Sequence, residues 1–176
     1  MLFQITQILL YVQIFHAVNH GVFASIENVF PADGTDVFFK TRVLFIIISA
    51  LKRQLRKLLL ESVSCYDTAG ENFYHGLVLG LCAITNNRYY ITSNQESGEG
   101  RYDIQLLPRD VSRPGILIEL KSAKDCSIEE LRALSKTAFQ QINDKKYGVE
   151  MASKGINSIF KFGVAFSGKR VEVTSE

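Results

Sequence analysis

At 176 residues, with 47% hydrophobic and 22% charged residues and only three prolines, the chain is sized for one domain, or one compact domain with a short appendage, and its composition excludes wholesale disorder. A formal charge of +2 is too small to announce a nucleic-acid binder by electrostatics alone. Residues 1–60 hold six Lys/Arg against three Asp/Glu and residues 61–176 hold fourteen against fifteen, so any positive potential over the larger part has to be created locally.

The first segment, MLFQITQILLYVQIFHAVNHGVF, is apolar but interrupted by Gln4, Gln7, Gln13, His16, Asn19 and His20, and it lacks the basic start of a secretory signal. It reads as a packing helix, with no membrane span. Pro31, Asp33 and Gly34 break the pattern before a second helical stretch. There Leu51, Leu55, Leu58 and Leu59 back a basic face of Lys52, Arg53, Arg56 and Lys57, which is either a solvated face, the commoner case, or a phosphate contact. Residues 1–57 are therefore expected to form a helical, apolar N-terminal extension, able to serve a protein partner or a second copy of the chain, and residues 58–176 the main domain.

Thr68 and Glu71 have capping-box spacing and predict a helix over ENFYHGLVLGLCAI. Phe73, Leu77, Gly80, Leu81 and Ile84 form its expected apolar face, with Gly76 and Gly80 allowing close approach to a sheet. Cys82 is expected in the core. The three cysteines, Cys65, Cys82 and Cys126, form no CxxC pair, which removes a zinc or dithiol centre and points to a reducing intracellular compartment, cytoplasmic or nuclear. Next come RYYITS, RYDIQLL and GILIELK, separated by reversals at Ser97–Gly100 and Pro108–Gly115, which predict an antiparallel three-strand meander. Ser127 and Glu130 form a second capping box before a long helix with Ile128, Leu131, Leu134, Ala138 and Ile142 on one face. SIFKFGVAF and KRVEVT, joined at Ser167 and Gly168, are the last strands, paired as a hairpin or by a short crossover. The fold class is α/β, in the order helix, three strands, helix, one or two strands.

The chemistry sits in the middle strands. An extended GILIELK puts Glu119 and Lys121 on one face and Ile118 and Leu120 on the other. Alone, such a pair is an ordinary surface ion pair. RYDIQLL adds Asp103, and if the two strands form a hairpin with their polar sides together, Asp103 and Glu119 can hold one divalent ion, Mg²⁺ or Mn²⁺, with waters completing the shell. Lys121 then supplies an ammonium to orient a water and stabilise developing charge, a combination suited to phosphodiester hydrolysis.

This arrangement resembles the PD-(D/E)XK nuclease core, a restriction-endonuclease-like fold. SVSCYDTAGENFYHGLVLGL, SNQESGEGRYDI, ILIELK, FQQINDKKY and FKFGVAFSGKRVEV are similar to the branch usually found behind an AAA-ATPase-like domain, over residues 58–174. The resemblance implies a nuclease acting on DNA or RNA, with Asp103 and Glu119 as metal ligands and Lys121 as a catalytic residue, and it draws in Glu71 and Gln141. Gln141 follows Ala138 by three residues on the sheet-facing side of its helix, while Gln140 points elsewhere; capping alone accounts for Glu71. His75 reads as structural. Lys145, Lys146 and Tyr147 are either phosphate contacts or a solvated helix end, and Arg101 either a phosphate contact or an ion partner of Asp103. Tyr102 stands where the family motif has proline, and no GxxxxGK[ST] loop occurs. The first 55 residues match the family poorly, as in a truncated or rearranged protein. The competing expectation is a catalytically inactive nuclease-fold module that binds or interacts.

Overall fold

Residues 49, 51–64, 66–68, 70–156 and 158–175 are described in a computed structural model, and the unit that carries the fold is Leu55–Glu176. The readings made of residues 1–48 and of Cys65 lie outside the described residues. Helix α1, residues 51–62, buries Leu55 and Leu59, one turn apart, and leaves Arg53 and Arg56 exposed. Among the described residues no helix is long and apolar enough to cross a membrane.

Helix α2, Glu71–Cys82, begins at Gly70, whose extended backbone precedes it without a side-chain cap. The expected Thr68–Glu71 capping box does not form. Such a box needs its glutamate at the third helical position, and Glu71 occupies the first. The buried stripe is Tyr74, Val78 and Cys82, one residue round from the expected face, while Gly76 and Gly80 look onto open space. Tyr74 sets this rotation. Its ring stacks on Phe166 at 4.4 Å, and its hydroxyl donates to the Gly168 carbonyl at 2.9 Å. Cys82 is in the core as expected, and burial pushes its thiol up to about 12.

The main sheet is built from β1 Tyr89–Ser93, β4 Ile104–Pro108, β5 Gly115–Ser122, β6 Ile159–Ser167 and β7 Arg170–Thr174, in spatial order β1-β4-β5-β6-β7. Strands β1, β4 and β5 are the expected antiparallel meander. Strand β6 runs parallel to β5, which requires a long crossover, and α3, Ile128–Asp144, supplies it. The last pair, β6 and β7, is a hairpin turning at Gly168, with φ of +56°. A small hairpin of β2 Glu96–Ser97 and β3 Gly100–Arg101 precedes β4. It divides the expected strand RYDIQLL, leaving Tyr102 and Asp103 as a break between β3 and β4. The Tyr102 N–H donates to the Gln95 carbonyl at 3.2 Å, a bond that proline could not make.

Helix α3 starts with the predicted Ser127/Glu130 capping box. Its buried positions are Leu131, Ser135, Ala138, Phe139 and Ile142, and the expected Ile128 is 48% exposed. The cause lies in β6. A Cβ at Gly163 would stand 2.2 Å from the Ser135 carbonyl oxygen and 2.3 Å from the Phe139 nitrogen, so the helix backbone rests directly on the strand there. The short helix α4, Val149–Ser153, has no counterpart among the expected elements; its Met151 joins Tyr102, Leu117, Ile142, Tyr147 and Ile156 in a core cluster on the α3 side of the sheet. The overall result is a mixed α/β domain with helices flanking a five-stranded sheet, as expected of a restriction-endonuclease-like core.

Candidate active site

The pleat of β5 places Leu117, Glu119 and Lys121 on the side of the sheet that faces α3, and Ile116, Ile118 and Leu120 on the other. Glu119 is 2% exposed. Its Oε1 receives the Lys121 ammonium at 3.3 Å and the amide of Gln141, while Oε2 is buried with no hydrogen-bond partner among the described residues. Gln141, half-buried on α3, is the glutamine that meets the strand; Gln140 is exposed.

Asp103 reaches the same place from the break before β4. The β4–β5 ladder ends at the Ile104–Ile118 pair, so the next N–H on that edge of β5, that of Leu120, has no strand partner. The Asp103 carboxylate accepts it at 2.7 Å. One pleat further on, the Ser122 N–H donates to the Glu71 carboxylate at 3.2 Å. Two carboxylates thus cap successive outward N–H groups of the central strand, about 7 Å apart along it. The recruitment of Glu71 to this edge corrects the reading of it as a helix cap.

The electrostatics of the pair are unfavourable without a cation. Burial pushes the Glu119 carboxyl up to about 7; the charge of Asp103 adds to the rise, and Lys121 and, after it, the backbone N–H of Asp103 oppose it. A buried, unpaired carboxylate oxygen beside a second carboxylate is a donor set that a hard divalent cation relieves, so the residues present fit such an ion. Among the described residues no cluster of three or more His, Cys, Asp or Glu side chains stands ready for a metal, and the acidic core of this site is a pair.

Two residues that the sequence reading treated as peripheral are part of the surroundings. Tyr147 is fully buried, so it belongs to neither a solvated helix end nor a phosphate contact. Its hydroxyl accepts the second N–H of the Gln141 amide at 3.3 Å and donates to the Arg101 carbonyl at 2.8 Å. The β2–β3 hairpin is fastened to the same region. The Ser97 hydroxyl donates to the Tyr147 carbonyl, the Glu99 N–H to the Lys145 carbonyl, and Lys146 pairs with Glu99. Arg101, Lys145 and Lys146 are exposed. His75 lies half-buried beside the Asp103 carbonyl. Its spacing one turn after Glu71 was the signal available in the sequence.

A family model described as the PD-(D/E)XK nuclease superfamily matches residues 69–176. No curated protein matches the chain.

Proposed function

Because this chain belongs to the PD-(D/E)XK nuclease superfamily, we propose that it is a divalent-metal-dependent nuclease hydrolysing phosphodiester bonds of DNA or RNA, with Asp103, Glu119 and Lys121 as its catalytic centre. The observation that carries this reading is the unpartnered Glu119 oxygen, buried beside Asp103 and next to the Lys121 ammonium. Asp103 and Glu119 would hold Mg²⁺ or Mn²⁺, which when bound supplies Lewis-acid polarisation of a phosphate oxygen and a more acidic water.

The remaining work belongs to the chain's own groups. Lys121, whose side chain is 28% exposed, orients the attacking water and stabilises charge as it develops on the phosphate. Gln141, itself steadied by Tyr147, fixes the rotamer of Glu119 and leaves Oε2 available. Glu71 fastens α2 to the strand edge next to the site. Residues 58–176 are the nuclease domain in this reading and residues 1–57 an extension to it. The segments SNQESGEGRYDI and FKFGVAFSGKRVEV favour the AAA-ATPase-associated branch of the superfamily, and the cysteine usage favours an intracellular setting.

The test is cleavage of single- and double-stranded DNA and RNA by the purified chain with Mg²⁺ or Mn²⁺. Cleavage that disappears with EDTA and in Asp103→Ala and Lys121→Ala is the expected result. Binding of nucleic acid without cleavage in either metal would establish the inactive-module alternative.

A further inference from the structure

We infer that His75 is a positioning residue for Asp103, holding the main-chain bend from which that carboxylate reaches the site. The inference rests on the proposed role of Asp103.

Asp103 lies outside any strand, and beyond the Tyr102 N–H bond to the Gln95 carbonyl no ladder fixes its backbone. Its carbonyl oxygen is held instead by two donors, the Asn94 N–H at 3.0 Å and Nε2 of His75 at 3.2 Å. A carbonyl can only accept, so this contact requires the tautomer with the hydrogen on Nε2, and in that tautomer the Asn94 side-chain amide, itself a donor, makes no bond to the ring. The Ser93 hydroxyl at 3.4 Å and the Asn94 side-chain amide at 3.5 Å border the same nitrogen. Asn94 has a φ of +54°, and its backbone N–H is aimed at Asp103 from that left-handed turn.

The anchor behind His75 is rigid. Its neighbour Tyr74 is stacked on Phe166 and bonded to Gly168, and Glu71, one turn earlier, is tied to the Ser122 N–H. Helix α2 therefore touches the divergent edge of the sheet twice along one face, at Ser122 through Glu71 and at Asp103 through His75. Without the histidine donor, the Asp103 carbonyl keeps only Asn94. The bend can then rotate, carrying the carboxylate away from the Leu120 N–H that holds it in line with Glu119.

The test needs no turnover. In metal-free protein, hydrogen exchange of the Leu120 amide reports whether the Asp103 carboxylate is in place, and exchange at Val164 in the core of β6 reports the integrity of the sheet. His75→Phe keeps the ring shape without a donor, and His75→Gln returns an N–H near the position of Nε2. The expected result is Leu120 exchange about tenfold faster in His75→Phe, the scale of one hydrogen bond lost, with Val164 unchanged and Leu120 largely restored in His75→Gln. Mn²⁺ affinity, read by calorimetry, should weaken and recover in parallel. Wild-type protection of Leu120 in His75→Phe overturns the inference, as does equal acceleration at Leu120 and Val164, or equal acceleration in the Phe and Gln variants. A wild-type protein that binds no Mn²⁺ yet shows the selective Leu120 effect would overturn the metal reading and leave the positioning role standing.

Discussion

Glu119 and Gly163 are register partners across the parallel β5–β6 ladder, and the position beside the buried carboxylate lacks a side chain because the backbone of α3 fills the space one would need. That seating is what brings Gln141 to Glu119. Gly163→Ala should force the helix to lift, costing about 1–3 kcal/mol by overpacking, and should lower Mn²⁺ affinity as well, with Gly163→Val worse in both respects. Urea unfolding and metal titration check this. A Val variant with the wild-type unfolding midpoint would mean that α3 does not rest on the strand.

A second prediction concerns pH in the absence of metal. The Glu119 carboxyl sits at about 7 when folded against an ordinary value of 4.5, so between those limits the folded state binds more protons than the unfolded one. The stability associated with this group is therefore fully present below about pH 4.5 and is lost as pH rises through 7, a change of about 3 kcal/mol. The measurement is the stability difference between wild type and Glu119→Gln in EDTA. It should move against wild type as pH goes from 5 to 8, and a flat difference would remove the burial argument. Metal affinity should run the other way, rising up to about pH 7 as the carboxylate ionises.

Metal binding itself should raise thermal stability, because an ion bound only by the folded state adds about 2.7 kcal/mol at a hundredfold excess over its dissociation constant. Asp103→Asn/Glu119→Gln should show neither binding heat nor a metal-dependent shift in Tm. Identical behaviour of wild type and double variant would refute the ligand assignment.

Lys121→Met should separate chemistry from binding. The ion stays bound, more tightly because a neighbouring positive charge has gone, while kcat falls by about 10²–10³, the scale for losing one preorganised electrostatic donor. Cleavage at the wild-type rate with saturating Mn²⁺ would reduce the lysine to an ion-pair partner of Glu119.

The parts that were legible in the sequence are those written in short-range spacing. Period-two alternation in GILIELK is enough to put Glu119 with Lys121, Ser127 and Glu130 cap α3 through neighbours alone, and the helical period singles out Gln141 over Gln140. The misreadings have distant causes. Glu71 has the spacing of a capping residue, but its carboxylate bonds an amide 51 positions away. Tyr74 turns α2 through a contact with Gly168, 94 positions away, and the burial of Tyr147 depends on a carbonyl 46 positions back. No local pattern signals that β4 starts after Asp103, because the interruption comes from the β2–β3 hairpin being fastened to the end of α3.

The parallel pairing of β5 with β6 also bears on when the site comes into being. Glu119 acquires its burial from α3 and β6, both made after it, and a chain growing from its N-terminus displays the strand before either exists. Pairings across a crossover of this length close late, since loop entropy is spent before the contacts return it. Until then Asp103 and Glu119 are solvated carboxylates without the burial that couples them, so the proposed site would be completed in the same cooperative step that completes the sheet.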